Sequence, residues 1–243
     1  MRIDILSLFP AMFAGPFGDS ITKRAVANGI LDIHLMNPRD FALGRHKQVD
    51  DSPFGGGSGM VLKPEPMFKA VNFIKDTTDY ANRRVLLMSP EGAVFNQAKA
   101  RELAQYDQLI FICGHYEGID ERVIEEKVDM EISIGDYVLT GGELPAMVMM
   151  DSIIRLLPGV IRRESYENDS FFQGLLDYPQ YTRPADYEGC KVPEVLLSGH
   201  HKKIEEWRFY QSVKRTLERR PDLLQGRVWT KQEKKILGEL IKK

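Results

Sequence analysis

Short apolar runs recur along the first two thirds of the chain, separated by stretches with helical spacing. Residues 3–9, 31–35 (with Leu31, Ile33 and Leu35 alternating), 85–88, 109–113 and 132–134 read as strands. The runs Val85-Leu86-Leu87-Met88 and Leu109-Ile110-Phe111-Ile112-Cys113 are continuously apolar, the pattern of central strands covered on both faces. Between them Asn96 is placed to cap a helix that carries Leu103 and Ala104. Residues 143–157, with Pro145 early and Pro158 just beyond, form a second helical pattern. Strands alternating with helices predict an α/β layered domain over residues 1–160. Residues 161–170 are polar and without period after Pro158-Gly159, and read as an exposed linker. Residues 171–243 read as mostly helical. Ile204, Trp207, Val213 and Leu217 mark a long helix ended by Pro221. Thr230-Lys231-Gln232-Glu233 is a capping box ahead of Ile236, Leu237, Leu240 and Ile241 on one face.

Charge sharpens this division. The formal net charge is only −2, but residues 200–243 carry thirteen Lys and Arg against six Asp and Glu, while residues 1–199 carry twenty against twenty-nine. A basic module thus follows an acidic body. With 43% hydrophobic and 28% charged residues, a disordered chain is excluded. Two cysteines, Cys113 and Cys190, make no disulfide scaffold and no zinc pattern, which favours the cytoplasm. Cys113 reads as a strand-end residue, and Cys190 as a small buried or partly buried one. Met1-Arg2-Ile3-Asp4-Ile5-Leu6 has an acid inside its apolar run and does not read as a signal peptide. The apolar stretch 144–157 is broken by Asp151 and Arg155 and is too short for a membrane span. Met147, Met149 and Met150 read as core filler.

Three glycine-bearing loops follow strand patterns: Ser89-Pro90-Glu91-Gly92, Cys113-Gly114-His115-Tyr116-Glu117-Gly118, and residues 134–142 ending Thr140-Gly141-Gly142. In open α/β sheets ligands bind beyond the carboxyl ends of strands, so the three are expected to line one pocket. The sequence has neither G-x-G-x-x-G nor a P-loop, and these loops contain no Lys or Arg. A purine-like or amphipathic small molecule held by backbone groups fits better than a polyphosphate. Phe54-Gly55-Gly56-Gly57-Ser58-Gly59-Met60 reads as a lid, an RNA-contacting loop or a plain mobile connection. His200-His201, adjacent in sequence, are unsuited to a shared metal ion and read as a turn into a helix.

Taken together, Gly56-Gly57-Ser58-Gly59-Met60, Ser89-Pro90, the residues 113–118, Ile134-Gly135-Asp136-Tyr137-Val138-Leu139-Thr140-Gly141-Gly142-Glu143-Leu144-Pro145 and Leu175-Leu176-Asp177-Tyr178-Pro179-Gln180-Tyr181-Thr182-Arg183-Pro184 resemble bacterial tRNA (guanine-N1)-methyltransferases. The resemblance implies a SPOUT-type α/β domain with a parallel sheet and a deep trefoil knot, followed by a small helical domain. It implies methyl transfer from S-adenosylmethionine to N1 of the guanine just 3′ of the tRNA anticodon, position 37. The donor would lie across Leu87, Ser89, Pro90, Gly114, Tyr116, Glu117, Gly118, Ser133, Ile134, Gly135, Asp136, Tyr137, Val138, Leu139, Gly141, Gly142 and Pro145. Asp169 resembles the family's general base and Arg155 its guanine-orienting cation. The resemblance further implies a homodimer with the active site between subunits, and the family's reaction is associated with magnesium.

The chemistry suits those residue types. Neutral guanine carries a proton on N1, so a carboxylate must remove it, and a guanidinium can stabilise the charge that gathers on O6. Lys202, Lys203, Arg208, Lys214, Arg215, Arg219 and Arg220 of the basic module are expected to meet tRNA phosphates. Two other readings stand beside this one: a tRNA-binding protein without catalysis, and a knotted ribose 2′-O-methyltransferase.

Overall fold

A computed structural model of the chain describes residues 1–241; Lys242, Lys243 and the side chains of Gln232, Glu239 and Ile241, all within the span read above as the basic helical module, lie outside the described residues. The chain divides into two compact units, Met1–Arg162 and Arg163–Lys243.

The first unit is layered α/β. Its elements run β1 (Arg2–Leu6), α1 (Ala14–Phe17), α2 (Ser20–Ala27), β2 (Asp32–Met36), β3 (Asp50–Asp51), β4 (Val61–Leu62), α3 (Pro64–Thr77), β5 (Arg83–Val94), α4 (Gln97–Leu103), β6 (Gln108–Ile112), α5 (Glu121–Lys127), β7 (Met130–Ser133) and α6 (Glu143–Ile154). Five strands form one sheet in the order β2-β1-β6-β5-β7, every neighbouring pair parallel. The α/β reading with a parallel sheet therefore holds. β6 is buried at all five positions. That burial explains its unbroken apolar run, because a parallel sheet here is covered on both faces. Leu6, Val85, Leu87, Ile110 and Ile112 pack on one side with Met67, Ala70, Val71 and Ile74 of α3 and Val123 of α5. The i, i+3, i+4, i+7 spacing of those α3 residues is the signal for a helix that the sequence reading passed over. Asn96 caps α4, its side chain accepting from the Lys99 amide at 3.0 Å. Met149 and Met150 are fully buried on α6 and Met147 nearly so.

Three expectations need correction here. The first strand stops at Leu6 rather than running to residue 9. Ser7 Oγ accepts the Phe9 amide at 2.9 Å, and Pro10 opens a 3₁₀ turn, Pro10–Phe13, so the backbone leaves the sheet. Residues 89–92 are not a plain loop after a strand. They form a bulge inside β5, whose pairing with β7 breaks between Met88 and Ala93, both opposite Ile132. A side chain at Gly92 would run into the backbone of Glu131 and Ile132, which explains the glycine. Third, residues 161–170 contain a helix, α7 (Arg163–Glu167), despite having no apolar period. An i, i+4 ion pair from Arg163 to Glu167 at 2.6 Å and the Asn168 amide on the Glu164 carbonyl hold it locally.

The second unit holds α7, then a long irregular stretch, a two-stranded antiparallel ribbon of β8 (Asp186–Tyr187) and β9 (Cys190–Lys191), and α8 (Glu194–Leu197), α9 (His201–Arg219) and α10 (Lys231–Ile241). It is less uniformly helical than the sequence reading expects, because residues 168–193 carry no helix. Cys190 is exposed on the ribbon, not buried. The capping box forms: Thr230 N–H donates to Glu233 Oε2 at 2.7 Å, and Glu233 N–H to Thr230 Oγ1 at 3.2 Å. Val213 and Thr216 of α9 are fully buried, and Thr216 Oγ1 accepts the Leu176 amide at 2.9 Å, tying the irregular stretch to the helix. Among the described residues no helix is long and apolar enough to cross a membrane.

Candidate active site

The bulge of β5 lies beside the carboxyl ends of β6 and β7, and the bulge and the segments leaving those two strands meet around one cavity of about 270 Å³. Ser89 and Pro90 come from the β5 bulge, Gly114, Tyr116, Glu117 and Gly118 from the loop after β6, and Ser133, Ile134, Gly135, Tyr137, Val138, Leu139, Gly141, Gly142 and Pro145 from β7 onward into α6. Leu87 and Asp136 stand apart from the lining; Leu87 is buried in the core of the sheet and Asp136 is exposed. Met88, His115, Ile132 and Thr140 also line the cavity. His115 and Thr140 lie inside the glycine-bearing loops, so reading the loops as whole segments would have included them.

The walls are shaped by what glycine omits. A Cβ on Gly142 would sit 2.7 Å from Cys113 Cα and 3.0 Å from the Gly114 nitrogen, while the Gly142 amide donates to the Gly114 carbonyl at 2.9 Å. Only backbone fits in that gap. Gly135 adopts φ +144°, and the Tyr137 ring occupies the space its side chain would fill. Its amide donates to Ser133 Oγ at 3.1 Å. Tyr116 sits at φ +62°, a conformation rare for a non-glycine residue and concentrated at functional loops.

The loop after β6 is fixed from two directions. The Glu117 amide donates to the Met60 carbonyl and the Leu62 amide to the Gly118 carbonyl, both at 3.0 Å, so the end of the glycine-rich loop 54–60 is stitched to it. A Cβ on Gly59 would meet the Glu117 side chain. Beyond, Asp120 caps α5 by accepting the Arg122 amide at 3.1 Å, and its carboxyl is held below the ordinary range, first by the Arg122 guanidinium at 2.8 Å. Cys113, just before Gly114, is buried. Burial raises its thiol well above the ordinary range, with the nearby Glu143 carboxylate adding to this, so it stays protonated and unreactive.

Comparison with known proteins places the chain in a family. The family profile described as tRNA (Guanine-1)-methyltransferase TrmD matches residues 1–226. The chain belongs to that family. It is similar to the tRNA (guanine-N(1)-)-methyltransferase of Fusobacterium nucleatum, 56% identical over 242 residues that cover 100% of this chain and 99% of that protein. The proteins of the same name from Alkaliphilus metalliredigens and Halalkalibacterium halodurans are each 56% identical, covering 100% of this chain and 99% and 98% of theirs.

The remaining residues that the tRNA (guanine-1)-methyltransferase resemblance singles out are not among those lining the cavity. Arg155 is the C-cap of α6, half-buried in the first unit. Asp169 is half-buried in the second unit, in the turn after α7, where its carbonyl accepts the Phe172 amide. It lines a separate cavity of about 270 Å³ with Asn168, Leu175, Phe209 and Ser212, beside Arg208 stacked 4.9 Å from the Tyr178 ring. The basic residues sit on α9 or at its end, all exposed except half-buried Arg215. At about 100° per residue, Arg208, Arg215 and Arg219 fall within roughly 40° of arc, with Lys203 and Lys214 on another side. They therefore make no single stripe. Lys214 pairs with Glu218 at 3.9 Å and Arg220 with Asp222 at 2.6 Å, so part of this charge is already neutralised.

Proposed function

We propose that this member of the tRNA (guanine-1)-methyltransferase family moves a methyl group from S-adenosylmethionine to N1 of the guanine just 3′ of the anticodon, position 37. The observation that carries the reading is the convergence of three glycine-bearing segments on one cavity in a chain of this family. The cavity suits that donor chemically. Its lining holds no Lys or Arg and carries the Glu117 carboxylate, which favours a ligand with positive charge. Glycine walls leave backbone N–H and C=O groups open to a polar heterocycle.

Bound there, S-adenosylmethionine supplies an electrophilic methyl group on a positively charged sulfur. The chain's own residues do the rest. Asp169 takes the N1 proton of guanine onto a carboxylate oxygen, which frees the N1 lone pair to bond the methyl carbon as the carbon–sulfur bond breaks. Arg155 orients the base and stabilises the negative charge that builds on O6. General-base help of this kind is worth roughly 10²–10⁴-fold. The cysteines take no part, since N1 itself is the nucleophile.

The protein is proposed to work as a homodimer in the cytoplasm, with Asp169 of one copy acting at the donor held by the other. The knot of the SPOUT type belongs to this proposal. It rests on the chain's membership of the family. Lys202, Lys203, Arg208, Lys214, Arg215, Arg219 and Arg220 are proposed to hold tRNA phosphates, while the base pocket supplies discrimination once the guanine is unstacked. Among the described residues no group of three His, Cys, Asp or Glu is placed to hold a metal ion. The test is a methylation assay on a transcript with guanosine beside the anticodon. Transfer is expected with that transcript and absent when the same base is already 1-methylguanosine; transfer to the premethylated transcript would point to a ribose hydroxyl instead.

A further inference from the structure

Behind the donor cavity lies a buried polar chain that the mechanism leaves unused. Glu143 is the first residue of α6 and is 1% exposed. Ser7 Oγ, fully buried just past β1, donates to its Oε1 at 2.6 Å. Nε2 of His115, in the cavity wall, lies 2.7 Å from its Oε2. A carboxylate only accepts, so the imidazole presents its Nε2 proton. The Phe9 ring meets the imidazole edge-on at 4.8 Å between centroids. On another side a Cβ at Gly141 would collide with His115 and lie 2.7 Å from Glu143 Oε2.

Burying a carboxylate is costly unless its oxygens are paired, and here both are. The side chains are 136 and 28 residues from Glu143 in sequence and come from different elements. A core role alone would be met by apolar side chains of similar volume. What this triad adds is direction. It fixes the loop after β6 against the Thr140-Gly141-Gly142 turn, two neighbouring segments of the cavity wall.

We propose that Ser7, Glu143 and His115 form a clamp that holds these two segments at the spacing the methyl donor requires, making His115 a positioning residue that sets donor affinity. This inference rests on the cavity being the donor site. Without the imidazole, Glu143 loses one partner and the Gly141 turn loses its backing, so the wall relaxes. The glutamine side chain can place an amide N–H where His115 Nε2 stands, and so restores the hydrogen bond.

The test is titration calorimetry of S-adenosylmethionine into the unsubstituted protein, His115→Ala and His115→Gln, with tRNA affinity, melting temperature and steady-state kinetics measured alongside. His115→Ala is expected to weaken donor binding about tenfold and to raise the donor KM by the same factor, with a smaller change in kcat and in tRNA affinity. His115→Gln should recover most of that loss. Donor binding by His115→Ala equal to that of the unsubstituted protein overturns the clamp and leaves the cavity reading intact. Equal defects in His115→Ala and His115→Gln, or parallel loss of donor affinity, tRNA affinity and melting temperature, also overturn it. No binding by the unsubstituted protein overturns the cavity reading and the clamp with it.

Discussion

The cavity of the first unit and the surface of α9 in the second solve opposite problems with opposite materials. The cavity is built from backbone, and its critical positions are glycines where a single methyl group meets Cys113 or His115. The α9 surface is built from long cationic side chains on several sides of one helix, part of them already paired with acids. A site made of backbone is defined by shape, so it is intolerant of added atoms and indifferent to salt. A site made of exposed charges is redundant, so it tolerates the loss of any one of them and weakens as counterions compete. On the proposed reading, specific chemistry falls to the first region and sequence-blind affinity to the second.

The largest effect is expected at the residue proposed to join the two tasks. Asp169→Ala should lower kcat by roughly 10²–10⁴-fold in single-turnover assays while calorimetric donor affinity stays near that of the unsubstituted protein. Collapse of donor affinity would move Asp169 out of the base's role and into the cavity's.

Gly142→Ala comes next. Its φ of −80° is open to alanine, so the whole penalty is steric: Cβ would press on Cys113 Cα and the Gly114 nitrogen, both backbone. Overpacking of this kind costs about 1–3 kcal/mol. Donor affinity is expected to fall about tenfold or more, with tRNA affinity and its salt dependence unchanged; normal donor binding would show that the wall yields.

These two variants also test whether one copy serves the other. Assayed at donor concentrations well below the Gly142→Ala dissociation constant, co-expressed Asp169→Ala and Gly142→Ala chains should yield about a quarter of the unsubstituted activity, since half of a random population is mixed dimers and each mixed dimer has one intact site. Activity no higher than the separate variants would place Asp169 and the donor in the same copy.

On the α9 surface, Lys203→Ala should weaken tRNA binding only a few-fold and reduce the slope of log affinity against log salt by about one. A flat salt response of the unsubstituted protein would remove the phosphate-contact account. The smallest effect is expected at Thr230→Ala, which deletes one half of the capping box. About 1 kcal/mol of local stability in α10 should be lost, readable by hydrogen exchange.

Legibility from sequence followed how far apart the cooperating residues sit. The continuous apolar runs of β5 and β6 and the glycine-bearing segments after them are local signals, and they marked the sheet and most of the cavity. The Asn96 and Thr230 caps were legible for the same reason, each needing only residues three apart. The Ser7–Glu143–His115 chain was not, since nothing near Ser7 announces a partner 136 residues on. Helix α7 was missed because its support is a charge pair rather than an apolar stripe. Cys190 was misjudged because a two-stranded ribbon leaves no covered face to bury a small residue. Asp169 illustrates the limit: in a polar stretch it reads as any surface acid, and only the resemblance to a family singles it out.

The most direct measurement is mass-spectrometric mapping of the methyl group on a tRNA transcript after reaction with the unsubstituted protein and with Asp169→Ala. The account predicts 1-methylguanosine immediately 3′ of the anticodon with the first and almost none with the second. A methyl group on a ribose or on another base, or equal yields from both proteins, would contradict it.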